Sequence, residues 1–246
     1  MEPMPMSLQN KNILITGGAR RIGRHLTQKI AEAGGNIIIH HSNSPQAAQE
    51  AAEKVRSLGQ QAWIIQGDFS NPNEARRVIN EAISIGDLFA VINNASIFEP
   101  FVFANTTLDA WQRHIDVNLT APFILSQQFA AHLPESSKGR IINILDWRSL
   151  RPGRDHFPYT ISKAALAAMT QSLAYILAPR IIVNGLLLGA ILPPSDGEDD
   201  PNVLKPIPAG RWAELEEVSQ SVLFLLDGPE YITGELIHLD GGRHLV

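Results

Sequence analysis

The 246-residue sequence contains no cysteine. That absence excludes disulfides, thiolate metal sites and a thiol nucleophile, and no other metal site is read from the chain. Positive charge is also in deficit: 20 Lys and Arg stand against 25 Asp and Glu, for a net charge of −5. Such a balance leaves no electrostatic footprint for nucleic acid. No apolar run reaches membrane-spanning length, because the longest, Ile181 to Leu192, is interrupted by Asn184, Gly185 and Gly189. Residues 1–10 are polar, carry Pro3 and Pro5, and lack the apolar core of a signal peptide. They read as a disordered tail on a soluble, cytoplasmic protein. No shift in composition marks a linker, so residues 11–246 are read as one domain.

Against those absences stands one stretch with a chemical purpose. Asn12 to Ile15 is a short β-branched run, Thr16-Gly17-Gly18-Ala19-Arg20-Arg21-Ile22-Gly23 is a Gly-rich turn, and Arg21 to Ala33 suits an amphipathic helix. A helix N-terminus leaves N–H groups unpaired and partly positive, and glycines let an anion approach the backbone. Alone the turn fits either a phosphate or a tight connection.

The chain then repeats the order of strand and helix. A strand at Asn36 to His40 ends in His41-Ser42-Asn43-Ser44, with no acidic residue to bind ribose hydroxyls and repel a ribose phosphate. That favours NADP over NAD, with Arg20, Arg21 and His41 as the available donors. After a helix over Pro45 to Leu58 and a strand over Gln61 to Gln66 comes Gly67-Asp68-Phe69, where Asp68 suits either a base amino group or helix capping. A helix over Asn73 to Ile85 and a strand over Leu88 to Ile92 lead to Asn93-Asn94-Ala95-Ser96. This alternation predicts a parallel sheet with helices on both faces, and ligands at its switch point between the first and fourth strands.

Further on, Asn118 falls where a helix begun near Thr107 meets another over Thr120 to Leu133, and the strand Arg140 to Leu145 ends in Asp146. Tyr159 and Lys163 lie four apart on a helix running to about Leu177. A cation beside a phenol lowers its pKa and makes it a better proton donor, and the lysine can also hold ribose hydroxyls.

Taken in order, the Gly-rich turn, Asn93-Asn94-Ala95-Ser96 and Tyr159-x-x-x-Lys163 resemble the short-chain dehydrogenase/reductase family, from about Lys11 to Leu245. Ile181 to Asn184 as a sixth strand, Gly189, and Leu239-Asp240-Gly241-Gly242 after a seventh agree with it. The resemblance implies a single-domain α/β Rossmann-type doubly wound fold with a seven-stranded parallel sheet, a nicotinamide cofactor and a homotetramer. The chain departs from the common pattern at Arg21, where the family has Gly, at Asp146, where it has Ser or Thr, and at Leu188, where it has Pro. The first two departures, with Phe98 two residues beyond Ser96, are similar to the pteridine reductase branch. The end Leu239 to Leu245 resembles that of bacterial members, including dihydromonapterin reductases.

That likeness implies an NADPH-dependent reductase of dihydropterins, with Tyr159 as proton donor, Lys163 as its tuner, Asp146 as its partner and Asn118 positioning Lys163 through backbone and water. It implies cofactor contacts at Gly17, Arg20, Arg21, Ile22, His41, Ser42, Asn43, Asp68, Phe69, Asn93, Ala95, Ser96, Tyr159, Lys163 and Gly189. Substrate contacts fall to Arg21, Ser96, Phe98, Asp146 and Tyr159, with Leu192 as an apolar wall. A flat pterin would lie between Phe98 and the nicotinamide. Eukaryotic members of the branch tend to grip the extra phosphate with an Arg where this chain has Ser42, so the NADP reading rests on Arg20, Arg21, His41 and the missing acid. The loop Ala190 to Gly210, with the acidic Ser195 to Asp200, stands where the family has its substrate lid. The alternatives are a carbonyl reductase of the 3-oxoacyl thioester or sugar type and a non-catalytic NADP-binding regulator.

Overall fold

Ile, Val and Leu fill both faces of the central strands, the pattern of a sheet covered on both sides. The computed structural model describes residues 8–192 and 203–246. Its strands are β1 (Asn12–Ile15), β2 (Asn36–His41), β3 (Ala62–Gln66), β4 (Leu88–Asn93), β5 (Gly139–Asp146), β6 (Ile181–Leu188) and β7 (Leu236–Leu239). They form one sheet in the order β3-β2-β1-β4-β5-β6-β7, all parallel. The order reverses between β1 and β4, where Ile15 is level with Ile39 on one side and Ile92 on the other.

Helices α1 (Arg21–Glu32), α2 (Pro45–Ser57) and α7 (Leu215–Asp227) cover one face. On the other lie α3 (Pro72–Ile85), α5 (Ala121–His132) and α6 (Phe157–Leu177), with α4 (Leu108–Ile115) leading into α5. Alternate strand residues divide between the two cores: Ile13 and Ile15 face α1, while Leu14 faces α3 and α5. Each such side chain contributes about 1.5–3 kcal/mol on full burial, so the sheet is the rigid frame against which the site is set.

Two expectations need correction. Leu8 is only 2% exposed and belongs to the α1-side core, and its carbonyl accepts the Lys11 N–H at 2.9 Å. The expected disordered tail therefore stops short of Leu8, and residues 1–7 lie outside the described chain. Strand β6 continues four residues past Asn184 to Leu188. The amide of Asn184 is satisfied by Ile232 O at 2.8 Å and Glu235 N at 2.9 Å. Gly185 leaves room for Leu145 and Leu236, which a Cβ would meet at 2.5 and 2.9 Å. In agreement with the expected junction at Asn118, α4 and α5 meet through one wide π turn, Asp116–Thr120, with Pro122 in the first turn of α5. Of the expected lid, residues 193–202, including the acidic Ser195 to Asp200, lie outside the described chain.

Candidate active site

The Gly-rich turn after β1 is tied to the end of β4 by Thr16 and Asn94. Thr16 Oγ1 donates to Ile92 O (3.2 Å) and accepts the N–H groups of Asn94 and Ala95, both at 2.9 Å. Asn94 Nδ2 donates to Thr16 O at 2.8 Å. Gly17 has φ +62°, and a Cβ at Gly23 would lie 2.1 Å from Gly17 O. The glycines are thus required by the packing of the turn on its own helix, as well as by any phosphate above it.

The third anchor is His40, which is 2% exposed. Its Nδ1 accepts the Gly17 N–H at 3.2 Å, its Nε2 lies 2.9 Å from Gly67 O, and its carbonyl accepts the Gly18 N–H at 3.0 Å. Accepting at Nδ1 and donating at Nε2 defines a neutral imidazole with the proton on Nε2. Burial pushes its pKa down to about 4, which agrees with that assignment. Phe69 stacks on the ring at 4.0 Å.

Above this platform lies a cavity of about 220 Å³, lined in part by Arg20, Ser42, Asn43, Asp68, Ala95 and Ser96. Its donors and the Gly17 turn suit the adenosine half of a dinucleotide, with Arg20, Ser42 and Asn43 at a ribose phosphate. Of the other expected cofactor contacts, His41 and Phe69 also line the cavity. His41 accepts the Ser44 N–H at Nδ1 (3.2 Å) and is driven towards the neutral form by burial, so it stands there without the charge expected of it. Phe69 puts its ring on His40, and Ile22 packs its side chain on the α1-side core. Asn93 is buried and donates to Asn143 Oδ1 at 2.7 Å, bracing β4 to β5. Asp68 is not the helix cap: its Oδ1 accepts the Ser70 N–H at 3.0 Å, the cap of α3 is Asn71, and the residue lines the cavity.

Beside the cavity, β5 and α6 bring Asp146, Tyr159 and Lys163 together. The Tyr159 hydroxyl, on a residue 7% exposed, donates to Asp146 Oδ2 at 3.1 Å. Asp146 Oδ1 accepts the Arg148 N–H at 2.8 Å. Lys163 Nζ donates to Ile144 O at 2.7 Å and lies 5.8 Å from the Tyr159 ring centroid. The expected lowering of the phenol by Lys163 is overturned in this state. Burial, with the adjoining Asp146 carboxylate, holds the Tyr159 hydroxyl well above its ordinary value. Burial likewise raises Asp146 and lowers Lys163 to about 8. The phenol therefore keeps its proton, and Asp146 is its hydrogen-bond acceptor.

Phe98 is 45% exposed, meets Tyr159 edge-on at 4.6 Å and stacks on His156 at 3.8 Å, with the Arg148 guanidinium 5.7 Å from its ring. An exposed aromatic ring at that place is not core packing. His156 has φ +50° and is paired with Asp155 at 3.0 Å, and Asp155 in turn pairs with Arg148 at 3.1 Å.

Asn118, in the π turn, does not reach Lys163 with its side chain. Its Oδ1 accepts from Ile97 N (2.9 Å) and Ser96 Oγ (3.1 Å), and its Nδ2 donates to Ile97 O (3.1 Å) and Ser162 Oγ (3.0 Å). Ser162 Oγ donates to Tyr159 O at 2.7 Å. Asn118 thus holds the cavity wall at Ser96 in register with the first turn of α6, where Tyr159 sits. Gly189 is a packing glycine, since a Cβ there would lie 2.6 Å from Asp240 Cα. Leu192 is half-buried against the α1-side core.

Sequence reasoning overlooked His40, Asn94, Arg148 and His156. Asn94 stood inside a recognised run, but His40 carried no signal beyond its place at the end of a strand. Arg148 and His156 lie in a loop whose path only the fold determines.

Three comparisons bear on this arrangement. Residues 11–203 match the model of the family described as short chain dehydrogenase. The 3-oxoacyl-(acyl-carrier-protein) reductase FabG of Aquifex aeolicus is 32% identical over 97% of this chain and 99% of its own. Among solved structures, FolM alternative dihydrofolate reductase 1 from Brucella canis, complexed with NADP, superposes with a TM-score of 0.92 at 33% identity, over 99% of this chain and 97% of that one. Its counterpart from Brucella suis, also with NADP, gives 0.89 at 34% identity over 96% of each chain. With the family model matched over most of its length and a relative of this identity along nearly all of it, the chain belongs to the short chain dehydrogenase family.

Proposed function

We propose that this protein is an NADPH-dependent pteridine reductase that takes a dihydropterin to its tetrahydro form. The observation that carries the reading is the exposed ring of Phe98 set edge-on to Tyr159, whose hydroxyl is bonded to Asp146. A flat heterocycle stacked on Phe98 would lie beside the phenol. The crystallised Brucella proteins, named as dihydrofolate reductases in complex with NADP, support both cofactor and substrate class, and dihydrofolate and oxidised pterins belong in the substrate panel for that reason.

The Gly17 turn and the cavity above it hold the nucleotide half, with Arg20, Ser42 and Asn43 towards the extra phosphate. Bound NADPH supplies the hydride that reaches the carbon of a ring C=N bond. Tyr159 delivers its proton to the nitrogen of that bond, leaving an amine and a tyrosinate. Lys163 is the buried cation near that tyrosinate, and Asp146 aligns the phenol and lies on its route back to the protonated state. Ser96 and Arg21 face the polar edge of the pterin. The protein acts as a cytoplasmic homotetramer on a small-molecule substrate, without nucleic acid or membrane partners.

A 3-oxoacyl thioester reductase is the second reading, favoured by the Aquifex aeolicus relative. Against it stands Asp146 in place of the hydroxyl residue the family resemblance calls for. A side chain that accepts the Tyr159 proton has no proton to offer a developing alkoxide. NADPH oxidation should be followed with dihydrobiopterin, dihydromonapterin, dihydrofolate and an acetoacetyl thioester, beside NADH. Turnover of a pterin with NADPH is expected, and turnover of the thioester alone overturns the reading.

A further inference from the structure

Beyond the reductase site, β7 and the C-terminal turn bring together three side chains that neither cofactor nor substrate binding uses. His238, Asp240 and His244 place one ligand atom each within 4.8 Å of the others. Gly241 and Gly242, at φ +61° and +84°, fold the chain back after β7, so that the His244 ring stacks on His238 at 3.8 Å. The buried Asp240 carboxylate is held by the N–H groups of Gly242 and His244, each at 3.0 Å.

The two imidazoles present the same nitrogen to that carboxylate. His244 Nδ1 is 2.9 Å from Asp240 Oδ2 and His238 Nδ1 is 3.5 Å from it. The His244 contact is a hydrogen bond. The His238 contact is not: its Nδ1 is buried without a hydrogen-bond partner. As a bare lone pair that atom faces a carboxylate, and as an N–H it has no acceptor in line, so either neutral tautomer leaves one buried polar atom unsatisfied. A cation bound at both Nδ1 atoms and Asp240 resolves the conflict. The observed spacings bracket the ~3.3 Å between ligand atoms that each lie about 2.0–2.1 Å from a tetrahedral ion.

We propose that His238, Asp240 and His244 form a binding site for a divalent transition-metal ion of the zinc and cobalt class. Two imidazoles and one carboxylate select such borderline ions over magnesium or calcium, which prefer all-oxygen shells. The site opens to a cavity of about 310 Å³ also lined by Arg211 and Glu217, which supplies an entry path and room for a fourth, solvent ligand. The Arg211 charge is matched there by Glu217, bonded through both guanidinium nitrogens at 2.8 Å. The ion clamps the end of β7 to the C-terminal turn. Arg243 of that turn lies 4.3 Å over the Trp147 ring, next to Asp146, so the clamp steadies the back of the reductase site.

The test uses untagged, full-length protein stripped with a chelator and dialysed against cobalt(II) or zinc(II), followed by elemental analysis. One ion per chain is expected, with visible cobalt absorption that zinc abolishes and excess magnesium leaves intact. His238→Phe and His244→Phe, which keep a stacked ring, are expected to lose that ion. X-ray absorption on the zinc-loaded wild-type protein guards against variants that fail to fold, and is expected to show imidazole scattering with an oxygen donor. Absence of saturable binding, displacement by magnesium, an all-oxygen shell, or full binding retained in both folded variants would overturn the proposal.

Discussion

The two halves of the reductase site are built from opposite materials. Under the nucleotide cavity, Thr16, His40 and Asn94 lock the Gly-rich turn with hydrogen bonds among buried or half-buried groups, and the imidazole among them is neutral. Around Phe98 the groups are more exposed and mostly charged, with Arg148 and Asp155 paired over the loop and His156 in a left-handed conformation. Buried, fully paired groups have one arrangement, which suits a platform that must hold the same cofactor in each cycle. A half-exposed ion pair such as Arg148–Asp155 is held less tightly than a buried network, so under the proposed function this half would be the one to rearrange around a ring that displaces His156 from Phe98. On that reading the platform would set position and the substrate half selectivity.

The largest effect that separates the halves is expected from Tyr159→Phe. Loss of the proton donor should lower pterin turnover by about 10²–10⁴-fold, while NADPH binding, read by fluorescence, stays near the wild-type value. Equal losses in both would mean that the halves are not separable. Asp146→Ser comes next. It removes a charge-assisted contact to the phenol worth about 1.5–3 kcal/mol, so turnover of the pterin should fall roughly 10–100-fold. The same variant should gain activity on an acetoacetyl thioester, and a gain on neither substrate would remove Asp146 as the residue that chooses between them.

On the platform side the corresponding change is His40→Phe. It keeps the stack on Phe69 but leaves Gly17 N–H and Gly67 O without partners, which costs about 1–3 kcal/mol for each buried group. Thermal stability and NADPH affinity should both fall, whereas the pH profile of pterin turnover keeps its shape. A second signature is the pH dependence of folding. The unfolded chain protonates this histidine near 6.5 and the folded chain only near 4, so between those values the unfolded state binds more protons. Stability should therefore fall by about 3 kcal/mol as pH drops from 6.5 to 4, and this part of the slope should vanish in His40→Phe. Denaturant titrations across that range check it, and an unchanged slope in the variant would break the comparison at its platform.

The contrast also explains how much could be read in advance. Period and punctuation carry the parallel sheet, the switch point and the pairing of Tyr159 with Lys163, because each depends on local pattern and on spacing along regular elements, whereas the seven strands and Asp146 as the partner of Tyr159 came from the family resemblance. What escaped depends on contacts across the sheet. His40 and His41 are neighbours in sequence, yet strand alternation turns one ring under the Gly17 turn and the other towards Ser44. Lys163 was expected to lower the phenol, but the sign was set by the burial of Tyr159 and by its carboxylate neighbour. The spacing also gave no hint of where the Asn118 side chain goes: the π turn directs its amide to Ile97 and Ser162. Burial and direction are tertiary quantities, which spacing alone does not contain.

The smallest expected effect on stability is at Arg21, in the Gly-rich turn. This residue opens α1 with φ +50°, a conformation that costs a non-glycine side chain about 1–2 kcal/mol. Arg21→Gly would relieve that strain, but glycine loses roughly 0.5–1 kcal/mol of extra backbone entropy on folding, and the contacts of an exposed arginine are worth less than about 1 kcal/mol. These terms nearly cancel, so the melting temperature should move by only a few degrees in either direction. The ligand side does not cancel: removing the guanidinium should raise KM for the pterin and for NADPH with a smaller change in kcat. A variant with unchanged KM for both would place Arg21 outside the site, and the left-handed arginine would then have no functional reason to be kept there.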